Sequence, residues 1–378
     1  MSSSDSIEPV AAPHAGRRLQ LDLLRVWSTV CIVIIHSVDV SHVRLGSTTW
    51  RWATCIHHLV RSALPIFFML SGALLFSAPA QSPLTFYRRR FTRLLIPLFI
   101  YSLIHLWAQR GFGRPHLAQL WPDLRAISKS GVHYSLWFVY LLATFYVIVP
   151  IIKPFLVSAS RATLIGLLVV VFGHQFLCVY SARFGINSDT AFQFWFLQDW
   201  IGYFLLGYCV LRLELQRFVK TWIVVAIAGY AATIYVYPKL NAYDLGLNMV
   251  ALSCALFCLT LALPIDRILG ASSRAARVLV HLSNRSYGLY LVHGIFLTLA
   301  ATYGRLPPWQ THFGANAAGT VIETLIGSYL AAVVVDFVLV RPVEYLVSMP
   351  TMPAKPRASQ GSAADALPGS TRRTIRRR

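Results

Sequence analysis

Long apolar stretches, each close to a membrane crossing in length, alternate with short polar connectors along most of the chain. A helix needs about 20 mostly apolar residues to cross the hydrocarbon core of a bilayer. Residues 19–40, 57–78, 91–109, 134–152, 162–180, 192–211, 221–238, 246–265, 286–304 and 317–340 meet or approach that length. The fourth, sixth and ninth of them carry the most polar interruptions. The pattern predicts an all-α fold, a polytopic transmembrane helix bundle of about ten spans. It divides the chain into a polar N-terminal segment (1–18), a membrane domain (19–346) and a tail (347–378) rich in Pro, Ala, Ser and Arg. The tail lacks apolar periodicity, which predicts disorder. The first residues lack the short apolar core and cleavage site of a secretory signal, so the first stretch is expected to remain as a span.

Composition agrees. Of 378 residues, 56% are hydrophobic and 13% charged, against about 25% charged in soluble domains. The net charge of +20 is not gathered on one soluble face, which argues against nucleic acid and makes the bilayer the first partner. With the N-terminus inside and spans alternating, roughly 70% of the Lys and Arg fall on the inner side, in every inner connector. Both termini are therefore expected in the cytoplasm, and the terminal RRTIRRR near an anionic leaflet. The six Cys lack metal-ligand spacing, and Cys254 and Cys258, one turn apart, read as packing residues. Soluble hydrolase, kinase and dehydrogenase motifs are absent.

Ionisable groups inside membrane helices are costly and mark candidate sites. The first stretch, LQLDLLRVWSTVCIVIIHSVDV, carries Asp22, Arg25, His36 and Asp39. At about 100° per residue they share one face with Ser28 and Thr29, a stripe that must meet the bundle interior or a wet cavity. His36 lies roughly 16 Å beyond Arg25 at 1.5 Å per residue. Asp39, three residues on, is in phase to hold the imidazole and stabilise its cation. His36 with Asp39 is thus a candidate general base. In FYRRRFTRLLIP, Arg90 and Arg93 are i and i+3 and share a face, and guanidinium forks match phosphate oxygens. In SNRSYGLYLVHGIF, Ser286, Tyr290 and His293 form a second buried polar face. Asp199, Glu323 and Asp336 also fall in membrane stretches. His57, His58 and His133 lie near outer boundaries, where a solvated interface accounts for them.

Taken in order, LDLLRVWSTVCIVIIH, LPIFFMLSGALLF, FYRRRFTRLLIP, SLWFVYLLATFYVIVPII, YFLLGY, SYGLYLVH and RPVEYL resemble the acyltransferase-3 family of bacterial integral-membrane O-acyltransferases over residues 19–346. The resemblance implies an acyl-CoA donor from the cytoplasm, usually acetyl-CoA, with no metal. It implies a glycan acceptor, often polyprenyl-linked and reached from the outer side, and a place in the bacterial inner membrane. His36 would be the catalytic His, with Asp39 beside it. Arg25, Arg90 and Arg93 would hold the donor, and Trp137, Tyr290 and His293 would face the acceptor. The length resembles exopolysaccharide and surface-antigen acetyltransferases, with the xanthan-type mannose enzymes as the nearest association. Many relatives have His two residues before the Trp corresponding to Trp137. Here that place is Ser135, with His133 further back, and a Glu found in other relatives is missing.

The expected activity is therefore O-acetyl transfer from acetyl-CoA to a sugar hydroxyl of an exopolysaccharide or lipid-linked glycan. His36 either deprotonates the hydroxyl or carries the acetyl group itself. The rival from another class is a glycolipid transporter or flippase using the same buried charges as a relay, although no repeated halves are visible. A succinyl or longer-chain acyltransferase is the enzyme rival.

Overall fold

In the computed structural model the described residues are 17–38, 46–113, 119–129, 132–181, 200–240, 243–270, 272–303 and 313–348, and no strand occurs among them. Asp39, Asp199 and the tail beyond Ser348 fall outside this set. The helices are α1 (Leu19–Ser37), α2 (Thr48–Val60), α3 (Ala63–Ser77), α4 (Pro83–Gln109), α5 (Leu120–Lys129), α6 (Trp137–Ser158) and α7 (Arg161–Tyr180). They continue as α8 (Ile201–Leu213), α9 (Val219–Leu240), α10 (Leu247–Ala262), α11 (Ile265–Leu269), α12 (Arg274–Tyr303), α13 (Phe313–Val335) and α14 (Arg341–Ser348). Where they are described, the apolar stretches picked out in the sequence fall largely on helices, and their residues 39–40, 192–199 and 304 lie outside the described set. Six segments have the length and composition of a crossing: Leu19–Ser37, Thr48–Ser77, Pro83–Gln109, Tyr134–Ser158, Arg161–Tyr180 and Asn316–Val347.

Local chemistry explains where the helices depart from the apolar pattern. α4 begins in a polar connector because Ser82 accepts a hydrogen bond from the Thr85 amide and Pro83 stands in the first turn. Ser47 and Ser160 cap α2 and α7 in the same way. The second stretch breaks into α2 and α3 at Arg61 and Ser62 because Pro65 has no amide to donate to the Arg61 carbonyl. After α13 the helix widens into a π turn over Asp336–Val340. Pro342, which cannot donate to the Val338 carbonyl, follows at once.

Alongside an apolar core, several small polar residues are buried while many large apolar residues are exposed. Ser28, Thr233, His293, Thr324 and Ser328 are fully or almost fully buried, while Ile151, Val169, Leu177, Ile227 and Val334 are exposed. Such an arrangement suits lipid, which leaves small residues and hydrogen bonds to hold helices together. The tightest crossing is α3 on α8. A Cβ on Gly72 would lie 1.7 Å from the Phe204 carbonyl oxygen, and one on Gly207 would lie 1.9 Å from that of Met69. Only glycine permits this backbone contact. Lys153 of α6 then closes the end of α3, donating to the carbonyls of Leu75 and Ala78. α1 packs against both α3 and α12, which places its polar stripe in the centre of the bundle.

Candidate active site

The stripe on α1 faces inward over its described length. Asp22, Ser28 and Thr29 are buried, and Arg25 and His36 are half-buried. At the Asp22 end, side chains of α1 and α12 interlock. Arg17 donates two 2.6 Å bonds to the Asp22 carboxylate and one of 3.0 Å to Asn284 Oδ1. Ser283 Oγ donates to Asp22 at 2.6 Å and accepts from Arg25 at 3.1 Å. Asp22 is thereby committed to structure, and the guanidinium of Arg25 is aimed by it through Ser283. A cavity of about 710 Å³ opens here, lined by Arg17, Arg18, Arg25 and Arg212, with Tyr208 and Asn284. Four guanidinium groups line this cavity beside a single carboxylate that is already paired, an arrangement whose chemistry can attract an anion.

Arg90 and Arg93 separate. Neither lines this cavity. Arg90 is half-buried on α4. Arg93 lines a different groove, together with Arg88, Arg89 and Arg341.

The other end of α1 is aromatic. A cavity of about 420 Å³ is lined by His36, His57, Arg61, Tyr134, Trp137, Asp244 and Tyr290 among others. His36 sits edge-on to Tyr134 with ring centres 5.3 Å apart, and 5.4 Å from His293. Tyr290 donates from its hydroxyl to the Ser135 carbonyl, tying α12 to the turn before α6. His293 is fully buried. Its Nδ1 donates to the Tyr290 carbonyl at 2.5 Å, which leaves Nε2 as the bare acceptor of the neutral ring. That atom has no hydrogen-bond partner among the described residues. The three sequence candidates His36, Trp137 and Tyr290 thus share one cavity, with His293 directly behind His36.

Two imidazoles that sequence reasoning passed over complete the cluster. His105 of α4 is buried and donates from Nε2 to the Leu291 carbonyl at 2.8 Å. His133 stacks 4.9 Å from His105 and 4.4 Å from Tyr134. It was expected at a solvated interface, and it is half-buried here. Its ring lies over Gly294, where a Cβ would come within 2.4 Å of the imidazole. The glycine following His293 is the local signal that a side chain crosses there. His133 Nδ1 is held by Ser135 Oγ at 2.8 Å, so the residue at the position where relatives carry His instead orients the His two places back. His58, also expected in solvent, is buried. His57 lines the cavity.

Arg61 and Asp244 are the second omission. They form a two-bond ion pair, 2.5 and 3.1 Å, in the wall of the His36 cavity. Burial pushes the Asp244 carboxyl above its ordinary range, and the facing Arg61 pulls it back. Sequence gave no reason to pair residues so far apart. Of the other membrane carboxylates, Asp336 is bonded by Arg285 at 3.0 Å and Tyr101 at 3.1 Å, and Glu323 is exposed. Among the described residues no three His, Cys, Asp or Glu are arranged to hold a metal ion.

A helical membrane bundle with an arginine-lined cavity and a histidine-lined cavity on one helix has the layout of a group-transfer enzyme. The family model of the acyltransferase-3 family, described as an acyltransferase domain, matches residues 18–339, and the chain belongs to this family. It is a multi-pass membrane acyltransferase. Comparison with curated proteins and with solved structures gave no match.

Proposed function

We propose that the enzyme takes acetyl-CoA at its arginine end and transfers the acetyl group to a sugar hydroxyl at its histidine end. The observation that carries this reading is the placement of the two cavities at opposite ends of α1, with Arg25 in one and His36 in the other. Their separation, roughly 16 Å along the helix axis, suits the thin pantetheine arm of CoA. The donor phosphates rest on Arg17, Arg18, Arg25 and Arg212. Arg93 faces away, so the arginines that line the cavity are the ones assigned to the donor.

At the other end the acceptor sugar lies against Trp137 and Tyr290, with Arg61 and Asp244 offering donors and acceptors to its hydroxyls. His36 takes the proton of the attacking hydroxyl as the C–O bond forms at the thioester carbonyl. The C–S bond then breaks, and the thiolate takes that proton back from the imidazolium. Asp39 is assigned to hold the ring during this exchange. The acceptor is a lipid-linked glycan or growing exopolysaccharide in the bacterial inner membrane.

The arginine end belongs in the cytoplasm, where CoA is made, with about ten spans and both termini on that side. Reporter fusions at residue 120 and at the C-terminus should then read out on opposite sides, and agreement between them would discard the topology. The activity is tested by giving purified enzyme radiolabelled acetyl-CoA and a polyprenyl-linked oligosaccharide in proteoliposomes. Label in the lipid-linked product is the expected result, and its absence with every acyl-CoA and glycan offered would reject the reading.

A further inference from the structure

The groove between the start of α4 and α14 lies outside both cavities and shares no lining residue with them. It has a volume of about 680 Å³ and holds Arg88, Arg89, Arg93 and Arg341 against one carboxylate, Glu344. Those four guanidinium groups are exposed, and with one carboxylate among them the groove keeps a net positive field that attracts an anion. The walls are apolar beside the charge. Leu84 is 79% exposed, Tyr345 66% and Leu346 65%, and the adjoining π turn exposes Phe337. A soluble anion would have no use for those surfaces. An amphiphile with a phosphodiester head and acyl chains would use both halves, the head on the arginine forks and the chains along the apolar surface.

We propose that this groove binds an anionic glycerophospholipid of the surrounding bilayer, its phosphate on Arg89 and Arg341 and its chains against Leu84 and the π turn. CoA fits it poorly. A donor seated there would lie in a groove that shares no lining residue with the cavity at Arg25 or with the one at His36. The site therefore stands whether or not acetyl-CoA is the donor. Through α14 and the π turn it adjoins Asp336, whose bonds to Tyr101 and Arg285 tie α13 to α4 and α12. An occupied groove would brace the bundle behind the histidine cluster.

The test uses the full chain in neutral phosphatidylcholine nanodiscs. Phosphatidylglycerol is titrated in, and thermal stability and retained lipid are read by fluorescence and by native mass spectrometry. Phosphatidylglycerol should raise the melting temperature of the wild type. The double variant Arg89→Gln, Arg341→Gln should bind it about thirtyfold more weakly, since each basic residue near the headgroups contributes roughly a fivefold factor. Glu344→Gln, which removes the one opposing charge, should bind it more tightly, and this arm stands even if the double variant does not fold. CoA should stabilise wild type and double variant alike. Equal phosphatidylglycerol binding by wild type and both variants would overturn the proposal. So would loss of CoA stabilisation in a folded double variant, which would give the groove to the donor.

Discussion

The two ends of α1 are built on different principles. At the arginine end, long side chains with permanent charge are held by a carboxylate of α1 itself and by a serine and an asparagine of α12. At the histidine end, short aromatic rings from α1, α4, the turn before α6 and α12 stack against one another. His105, His293 and Tyr290 bond to backbone carbonyls, and His133 to a serine hydroxyl. The first arrangement attracts an anion from water and tolerates its departure. The second holds its rings in place against one another, an arrangement that suits proton transfer more than tight binding. On the proposed reading, one helix joins a site for donor binding to a site for turnover.

That difference also explains what could be read from the sequence. The arginine end is local. Asp22 and Arg25 stand on one helix face, and helical periodicity alone aims them inward. The bundle, too, was legible, because lipid imposes length and polarity on every crossing. The histidine end is non-local. His105 and His133 are 28 positions apart, and both meet an α12 that lies more than 150 positions further on. No periodicity links them, and His133 sits in a turn where polar residues are ordinary. Gly294 was its only trace. Arg61 and Asp244 were hidden for the same reason. The split between Arg90 and Arg93 depends on what α14 covers, and apolar patterning does not report that.

The comparison breaks most sharply at His36. His36→Ala should lower acetyl transfer by about a hundredfold to ten-thousandfold while leaving CoA affinity, measured by calorimetry, near wild type. A variant that turns over at the wild-type rate would remove His36 from the chemistry. Arg25→Ala should do the opposite. Loss of a charge-assisted contact, about 1.5–3 kcal/mol, weakens acetyl-CoA binding roughly tenfold to 150-fold with little change in turnover at saturation. Arg25→Lys should recover only part, since a point charge lacks the fork. If Arg25→Ala slowed turnover and left binding intact, the two ends would not be divided as described.

A smaller effect should come from Gly294→Ala. The added methyl would meet the His133 ring at 2.4 Å, so the imidazole must leave its place while His36 and Arg25 stay. Turnover should fall by about tenfold, less than for a lost base, with unchanged donor affinity. His133→Ala should match it, and combining the two should add nothing further. A strictly additive pair would mean that the glycine matters for helix packing rather than for the ring it accommodates.

The least effect is expected at the tail, and it sharpens the account of the arginine end. Deleting residues 352–378 removes the basic residues from Lys355 to Arg378, a large share of the 34 Lys and Arg in the chain. If the donor were gathered by overall positive charge, its apparent KM should rise clearly at low salt, where the field reaches about 30 Å. If it is held by Arg17, Arg18, Arg25 and Arg212 in their cavity, the deletion should change KM by less than about twofold at physiological salt, where screening limits reach to about 8 Å. The measurement is acetyl transfer at two ionic strengths by a truncated enzyme shown to insert with the wild-type topology. A several-fold rise in KM at physiological salt would transfer part of the donor's binding from the cavity to the tail.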